Sequence, residues 1–317
     1  MVAPDLSERF CADLAALGFV GGKLALAVSG GPDSLALLAL AHAALPDRLE
    51  AATVDHGLRA EGAAEARAVA EICAGIGVPH AVLAVEVAPG NVQAEARAAR
   101  YAALARWMEQ RALAALATAH HADDQAETLL LRLNRASGVA GLAGVRARGQ
   151  VPGTTLPLLR PLLGWRRVEL AEVVRDMGWQ AAQDPSNSND RFDRARLRKE
   201  LARAEWIDVP ALAASAAHLA DADAALAWAA AREWAECVEP SPMGLTYRPR
   251  APRAVALRVI ARIVTDLDGA EPRGSAIARL FDALLARQPA SIGGLVARAV
   301  PEGWSFSKAP QRAPRKA

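Results

Sequence analysis

The sequence contains few of the residues from which disulfide scaffolds and cysteine-bound metal sites are built. It has three cysteines, Cys11, Cys73 and Cys237, which lie far apart and never form a C-x-x-C pair. An odd number of dispersed cysteines argues against a disulfide framework, a zinc ribbon and a paired-cysteine redox centre. The chemistry of this protein is therefore expected to depend on other side chains.

Long apolar runs are also missing. The most alanine-rich stretch, residues 210 to 230, contains His218, Asp221 and Asp223, so we do not expect it to span a membrane. The N-terminal segment MVAPDLSERF has no basic region followed by an apolar one, which argues against a secretory signal. Together these absences predict a soluble, cytoplasmic protein with no membrane partner.

Aromatic residues and net charge are both low. Aromatics make up 4% of the chain, and 37 basic against 35 acidic residues give a net charge of +2. Binding to a polyanion would therefore have to come from local clusters of charge. Apolar residues at 52% and charged residues at 23% are typical of a folded chain, and 317 residues are enough for about two domains.

Short apolar runs alternate with helix-prone segments in the first half of the chain. This alternation predicts an α/β fold with a doubly wound, mostly parallel sheet and helices on both faces. We expect a smaller helical domain to follow, because the sequence becomes alanine-rich from about residue 210. The expected domains are 1–207 and 208–306, followed by a basic, disordered tail at 307–317. The expected strands are 24–28, 49–54, 80–87 and 115–120, and the expected helices are 33–45, 61–77, 92–111, 123–135 and 166–177.

The most specific signal is the hexapeptide SGGPDS, which lies between the first expected strand and the first expected helix. Glycines let a backbone approach a phosphate closely, and a helix N-terminus presents unpaired N–H groups to an anion. Asp33 could hold Mg²⁺, and the serine hydroxyls could add donors. The alternative is a tight turn with a helix N-cap, but the whole pattern in this context favours nucleotide binding. The nucleotide-binding candidates are Ser29, Gly30, Gly31, Pro32, Asp33 and Ser34.

Three more segments place polar residues after expected strands or inside helices. VDHGLR at 54–59 contains Asp55, and HHADDQAET at 120–128 contains His121 and Asp124. EARAARY at 95–101 contains Arg97. Because the carboxyl ends of parallel strands meet at one edge of a sheet, Asp55 and the 120–128 segment are expected near the phosphate loop. The alternatives are a loop acid for Asp55, ordinary helix-capping acids in 120–128 and a solvated arginine at position 97.

These motifs, together with DPSN at 184–187, resemble the tRNA(Ile)-lysidine synthetase family of the PP-loop ATP pyrophosphatase superfamily. The resemblance covers about residues 22 to 200 and implies an adenine nucleotide α-hydrolase-like fold, with ATP and Mg²⁺ as cofactors. It implies adenylation of C2 of the wobble cytidine in an isoleucine tRNA with a CAU anticodon. The ε-amine of free L-lysine then displaces AMP, which forms lysidine and changes codon reading from AUG to AUA. The length of the chain suggests a form without the additional C-terminal domain of longer members.

The resemblance also suggests roles for particular residues. The phosphate loop and Asp55 would bind the nucleotide, and Asp33 would hold the metal. Asp33, Arg97, His121 and Asp124 would be catalytic, and either His121 or Asp124 would act as the general base.

A basic window at 191–204, with six basic and two acidic residues, is the best candidate for tRNA contact in the first domain. Phosphate contacts give affinity without sequence reading, although a charged helix face is more often simply solvated. Ala195 departs from the family pattern Arg-Asn-x-x-Arg. The tryptophans at 165, 179, 206, 228 and 234 are expected in the core. The expected tRNA contacts are Arg191, Arg194, Arg196, Arg198 and Lys199.

Two other readings of the sequence stay open at this point. One is another PP-loop tRNA-modifying enzyme, such as a 2-thiolase, although the absence of C-x-x-C pairs argues against a cysteine-held iron–sulfur cluster. The other is an RNA-binding relative without catalysis, which the complete SGGPDS and HHADDQ motifs argue against.

Overall fold

The computed structural model describes residues 1–57, 62–86, 92–182 and 193–309. The chain forms two units, Met1–Ala220 and Asp221–Ala317. The division lies inside a single helix, α9 (Val209–Cys237). This position is later than the boundary expected at 207. That boundary was expected from the change to an alanine-rich composition, which coincides with the start of α9.

A six-stranded sheet forms the centre of the first unit, with the order β3-β2-β1-β4-β6-β5. Every neighbouring pair is parallel except β5 and β6. The strands are β1 (Leu24–Ala27), β2 (Leu49–Asp55), β3 (His80–Ala84), β4 (Ala115–Ala117), β5 (Arg148–Gln150) and β6 (Pro157–Leu159). The expected doubly wound, mostly parallel sheet is confirmed.

The helices of this unit cover both faces of the sheet. One apolar layer joins the sheet to α1, α2, α3 and α7, and includes the fully buried Phe10 and Trp165. A second layer joins the opposite face to α4 through Leu104, Trp107 and Met108. The helices are α1 (Pro4–Ala16), α2 (Pro32–Ala44), α3 (Gly62–Gly75), α4 (Val92–Gln110), α5 (Ala122–Leu133), α6 (Val139–Leu142), α7 (Arg167–Asp176) and α8 (Asp193–Arg203).

The order of the strands determines where a ligand can bind. From β1 the chain proceeds to β2 and β3 on one side, and β4 lies on the other side of β1. The crevice at the carboxyl ends of β1 and β4 is therefore the topological switch point, where open α/β sheets bind their ligands. The SGGPDS loop follows β1, and the HHADDQ segment follows β4.

The second unit contains more than the helices expected from its composition. Its helices α10 (Arg253–Asp268) and α11 (Gly274–Leu285) pack on a five-stranded antiparallel sheet with the order β7-β8-β11-β10-β9. β11 continues two residues into the segment expected to be disordered. The strands are β7 (Val238–Ser241), β8 (Gly244–Tyr247), β9 (Ala290–Ile292), β10 (Leu295–Val300) and β11 (Gly303–Lys308).

Two of the five tryptophans expected in the core are exposed. Trp206 is 85% exposed and Trp228 is 64% exposed, so the prediction is wrong for both. The ring of Trp228 is covered on one side by the guanidinium of Arg232, at 5.2 Å. Trp165 is fully buried as expected, and its indole N–H donates to Asp13 at 2.7 Å.

A buried carboxylate on α9 binds β8 and the segment that precedes α10. Glu233 is 9% exposed and accepts hydrogen bonds from the hydroxyl of Tyr247 and the backbone N–H groups of Arg250 and Ala251. Burial alone would raise the pKa of this carboxyl, but the backbone and side-chain donors outweigh it and lower the pKa below the usual 4.5.

We expect Glu233→Gln to lower the free energy of unfolding by roughly 1–3 kcal/mol, because an amide replaces a carboxylate that accepts three bonds. A lowered native pKa means that the wild-type carboxylate stabilises the fold above pH 4.5 and loses this contribution as pH falls further. Urea unfolding from pH 7 to pH 3 should therefore show the two proteins converging in acid. A constant difference across this range would contradict the assignment.

Among the described helices, none is long and apolar enough to cross a membrane.

Candidate active site at the carboxyl ends of β1 and β4

The phosphate loop is closed by its own last serine. The hydroxyl of Ser34 accepts the backbone N–H of Ser29 at 3.1 Å and donates to the carbonyl of Gly31 at 2.9 Å. Ser34 is 6% exposed, whereas Ser29 is exposed. Ser34 therefore fixes the shape of the loop, and its hydroxyl also lies 3.3 Å from that of the exposed Ser29.

Gly30 has a conformation and a setting that favour glycine. Its φ is 86°, and a Cβ there would lie 3.4 Å from Val69 Cγ2. Its carbonyl accepts the N–H of Ala182 at 2.9 Å, so the chain before residue 183 runs beside the loop. Helix α2 starts from Gly31 with Pro32 in its first turn, and no side chain among the described residues caps it. The N–H groups of this first turn are therefore available to an anion.

Two helix N-termini converge on one buried histidine. His121 is 1% exposed and is the N-cap of α5, and its Nε2 lies 3.5 Å from Asp33 Oδ2 and 3.6 Å from Asp124 Oδ2. Its Nδ1 lies 3.7 Å from Asp123 Oδ2. Asp124 also accepts the backbone N–H of His121 at 3.2 Å. The structure therefore brings three predicted residues, Asp33, His121 and Asp124, into one cluster.

The charge of this cluster favours a protonated histidine. Burial acts to lower the pKa of His121, but the hydrogen bond that its ring donates to Asp33 and the charges of Asp124, Asp33 and Asp123 outweigh it and raise the pKa. Asp33 Oδ1 is buried and has no hydrogen-bond partner among the described residues. A buried carboxylate oxygen without a partner is costly and fits the approach of a cation.

Asp123 belongs to the same motif but is already bound on its other side. Its carboxylate accepts two bonds from the guanidinium of Arg166, each at 3.2 Å, and the backbone N–H of Arg167 at 2.8 Å. Burial alone would raise the pKa of Asp123, but these donors lower it. Asp123 thus connects α5 to the start of α7. The sequence analysis did not identify Arg166, which lies 43 residues along the chain.

Gln125, in the same motif, has a structural role. Its amide donates to the carbonyl of Val145 at 2.8 Å, and its amide oxygen accepts the N–H of Val145 at 2.7 Å. Gly144 has a φ of 61°, and a Cβ at this position would lie only 2.4 Å from Gln125 Oε1. The close approach explains why glycine occupies this position.

Asp55 lies at the end of β2, the neighbour of β1, as expected. Its Oδ1 accepts the backbone N–H of Gly57 at 2.9 Å, which fixes a turn at this edge of the sheet. The pKa of the adjacent His56 is lowered, mainly by burial and then by the charge of Arg100, so this imidazole is neutral near pH 7. Leu58 and Arg59 of the same motif lie outside the described residues.

Arg97 lies on α4. It is exposed, and its guanidinium lies 5.0 Å from the ring of Tyr101 and donates to its hydroxyl at 3.5 Å. The pKa of His120, which precedes His121, is lowered to about 4 by burial, then by the charge of Arg160, with Asp124 opposing. His120 and Arg160 were not among the predicted site residues, because their roles depend on contacts between β4, β6 and α4.

The basic window forms α8, but its arginines do not share one role. Arg198 makes two bonds to Glu127, at 2.7 and 3.2 Å, and Glu127 is 2% exposed. Arg194 donates to Thr128 at 3.1 Å. These contacts bind α8 to α5, and Arg194, Arg196 and Lys199 are exposed. Arg191 and the DPSN motif lie outside the described residues.

Ala195, which departs from the family pattern, is 5% exposed. A small apolar side chain thus occupies this buried position of α8.

The residues present fit a magnesium ion that is shared with a nucleotide. Among the described residues, no group of three or more acidic, histidine or cysteine side chains is arranged to hold a metal. Mg²⁺ usually binds one or two carboxylates together with substrate phosphates. Asp33, with one oxygen unpartnered beside the phosphate loop, matches that requirement.

Comparisons with known proteins agree with this geometry. A model of the PP-loop domain matches residues 6–205. The tRNA(Ile)-lysidine synthase of Novosphingobium aromaticivorans is 48% identical over 309 residues, covering 96% of this chain and 94% of the relative. The synthase of Zymomonas mobilis is 41% identical over 300 residues, covering 92% and 90%.

A solved U34-tRNA thiolase from Methanococcus maripaludis aligns with a TM-score of 0.55 and 17% identity, covering 68% of this chain and 76% of that one. This likeness shows the fold alone. Since the domain model covers more than half of the chain and the relatives match nearly all of it, the chain belongs to the tRNA(Ile)-lysidine synthase family of PP-loop enzymes.

Proposed function

We propose that this protein uses ATP to convert the wobble cytidine of an isoleucine tRNA with a CAU anticodon into lysidine. In the first step, the C2 oxygen of the cytidine attacks the α-phosphorus of ATP and pyrophosphate leaves. In the second step, the ε-amine of free lysine attacks C2, AMP leaves and the amine loses a proton. The observation that carries the proposal is the convergence of Asp33, His121 and Asp124 beside the phosphate loop, in a chain of this family.

The phosphate loop and the N-terminus of α2 are suited to the pyrophosphate. The unpaired N–H groups of the helix and its positive dipole end stabilise the negative charge that develops on the leaving group. Asp33 would hold Mg²⁺, which when bound supplies charge neutralisation at the phosphates. Asp55 would contact the nucleotide from the end of the neighbouring strand, with its carboxylate held by Gly57. Arg97 would approach the reacting groups from α4.

Asp124 is better placed than His121 to accept the proton of the lysine amine. The side chain of His121 is 1% exposed, whereas that of Asp124 is 19% exposed. The carboxylates around His121 also favour its protonated form, in which the ring has no free nitrogen to accept a proton. We therefore assign the general base to Asp124. His121 would position the carboxylates of Asp33 and Asp124.

Helix α8 would hold the tRNA through its exposed face. Arg196 and Lys199 are exposed basic residues of this helix, and Arg198, which is bonded to the buried Glu127, is partly buried. Phosphate contacts from exposed basic residues supply affinity that falls as salt rises. Arg194 and Arg198 would anchor this helix beside the site, and Arg191 would extend the same basic segment.

Replacing both Arg196 and Lys199 with glutamine should weaken tRNA binding. The slope of log K against log salt concentration should become shallower by about one for each lost phosphate contact. The measurement is a binding series in increasing salt with the tRNA transcript. Arg175→Gln, which removes an exposed arginine from α7, is the control and should keep the wild-type slope. An unchanged slope in the double variant would exclude this face as the phosphate contact.

Isotope-labelled lysine tests the reaction directly. Incubation with ATP, Mg²⁺ and an isoleucine tRNA transcript with a CAU anticodon should attach the label to the tRNA. A transcript with uridine at the wobble position should remain unlabelled. Label that enters both transcripts, or neither, would contradict the proposed substrate.

A further inference from the structure

A second cluster of charge is formed by arginines whose charges act on His120. Arg160 follows β6, and Arg97, Arg100 and Tyr101 lie on α4. The guanidiniums of Arg97 and Arg100 lie 5.0 and 5.7 Å from the ring of Tyr101. The charges of Arg160, Arg97 and Arg100 all lower the pKa of His120, so the three cations lie within electrostatic range of one imidazole.

Arg160 is the most buried of these cations and is incompletely bonded. It is 8% exposed, and one of its terminal nitrogens donates to the carbonyl of Arg146 at 2.6 Å. Its Nε is buried and has no hydrogen-bond partner among the described residues. A buried donor of a charged group is costly to leave without a hydrogen bond. This atom therefore indicates a partner outside the described residues.

The cluster also lacks a counterion. Burial and the charge of Arg97 lower the pKa of both Arg160 and Arg100, and Tyr101 opposes both shifts. In the part of the chain that the structure describes, no carboxylate contributes to either shift. Arg166 and Arg198, in contrast, are each bonded to a carboxylate. Among the described residues, Arg160 and Arg100 therefore have no carboxylate partner.

The neighbouring histidine does not add to this charge. With its pKa lowered to about 4, His120 is neutral near pH 7, and its Nδ1 lies 3.1 Å from the hydroxyl of Thr118. The charge of Asp124 opposes this lowering, so His120 is within electrostatic range of both the arginines and the acidic cluster. A guanidinium fork is suited to two oxygens of one carboxylate or phosphate.

We propose that Arg160, with Arg100 and Arg97, forms an oxyanion-binding site that takes a phosphate or carboxylate group of a substrate. This inference rests on the proposed function, which supplies two such groups, the α-phosphate of the nucleotide and the carboxylate of free lysine. Arg160 would contact the oxyanion directly, and its Nε would gain the partner that it lacks.

Direct binding measurements test the site without requiring turnover. The affinities of ATP, AMP, L-lysine and cadaverine, which is lysine without its carboxylate, would be measured by calorimetry or thermal shift. The proteins are wild type, Arg160→Gln, Arg160→Lys and Arg100→Gln. Arg106→Gln, which removes an exposed arginine from the same helix as Arg100, is the matched control.

We expect Arg160→Gln to lower the affinity for one anionic ligand at least tenfold, which is about 1.4 kcal/mol. If the occupant is a phosphate, the affinities for ATP and AMP fall and the affinity for lysine does not. If the occupant is a carboxylate, the affinity for lysine falls and the affinities for cadaverine and the nucleotides do not. Arg160→Lys should recover part of the loss, Arg100→Gln should share it, and Arg106→Gln should bind as wild type does.

A purely structural role for Arg160 predicts a different pattern. Arg160→Gln would then melt at a lower temperature and bind every ligand with wild-type affinity once folded, and this result would overturn the site. Unchanged affinities in Arg100→Gln and Arg160→Lys would overturn it even if Arg160→Gln did not fold, and so would a wild type that binds none of the anions. Arg160-dependent binding in a protein that forms no lysidine would refute the proposed function and leave the oxyanion site intact.

Discussion

Asp33→Asn should reduce ATP-dependent pyrophosphate release by about a thousandfold or more. The substitution removes the charge beside the phosphate loop while it preserves the size of the side chain. An oxygen that is buried and unpartnered among the described residues would then no longer attract a metal. Losing one preorganised group that stabilises a transition state costs roughly 10²–10³ in rate, and loss of the metal would add to this cost.

The measurement is pyrophosphate release in the presence of tRNA, with circular dichroism to show that the variant is folded. Asp5→Asn, at an exposed position in α1, is the matched control and should release pyrophosphate at the wild-type rate. Release within tenfold of wild type in Asp33→Asn would show that the loop does not use this carboxylate.

Asp124→Asn should separate the two steps of the reaction. Asparagine can still accept the backbone N–H of His121, so the N-terminus of α5 should keep its shape. It cannot take a proton from an ammonium group, and loss of a general base typically costs about 10²–10⁴ in rate. We therefore expect pyrophosphate release to continue while lysidine formation falls by that factor.

A single turnover with ATP labelled at the α-phosphate distinguishes the steps. The variant should accumulate label on the tRNA, whereas wild type should release it as AMP after lysine attacks. Asp123→Asn is the comparison, because the carboxylate of Asp123 is bonded to Arg166, and its loss should affect stability more than one chemical step. If Asp124→Asn forms lysidine at the wild-type rate, or loses both steps equally, Asp124 is not the base.

The fold around the site was predictable because its signals are local. The strands at β1 and β2 are short apolar runs, and the glycines after β1 interrupt the pattern where the loop turns. Alternation with helices implied a parallel sheet, and the structure confirms it. The second sheet was not predicted, since its strands have three to six residues and contain proline, glycine and serine.

The partners of the site residues were less accessible from the sequence. Arg198 was predicted as a phosphate contact, and its two bonds to Glu127 join residues 71 positions apart. Arg160 lies 59 positions from Tyr101, and the oxyanion site proposed for it rests on its burial and on an Nε without a partner among the described residues. Motif spacing specifies which residues follow a strand, but burial and ion pairing depend on which helices pack above them.

The most direct test of the account is nucleoside mass analysis of an isoleucine tRNA transcript with a CAU anticodon after incubation with this protein, ATP, Mg²⁺ and lysine. The account predicts one cytidine heavier by lysine less one water, and only when ATP and lysine are both present. Unmodified cytidine, from a folded protein that binds ATP and this tRNA, would contradict it.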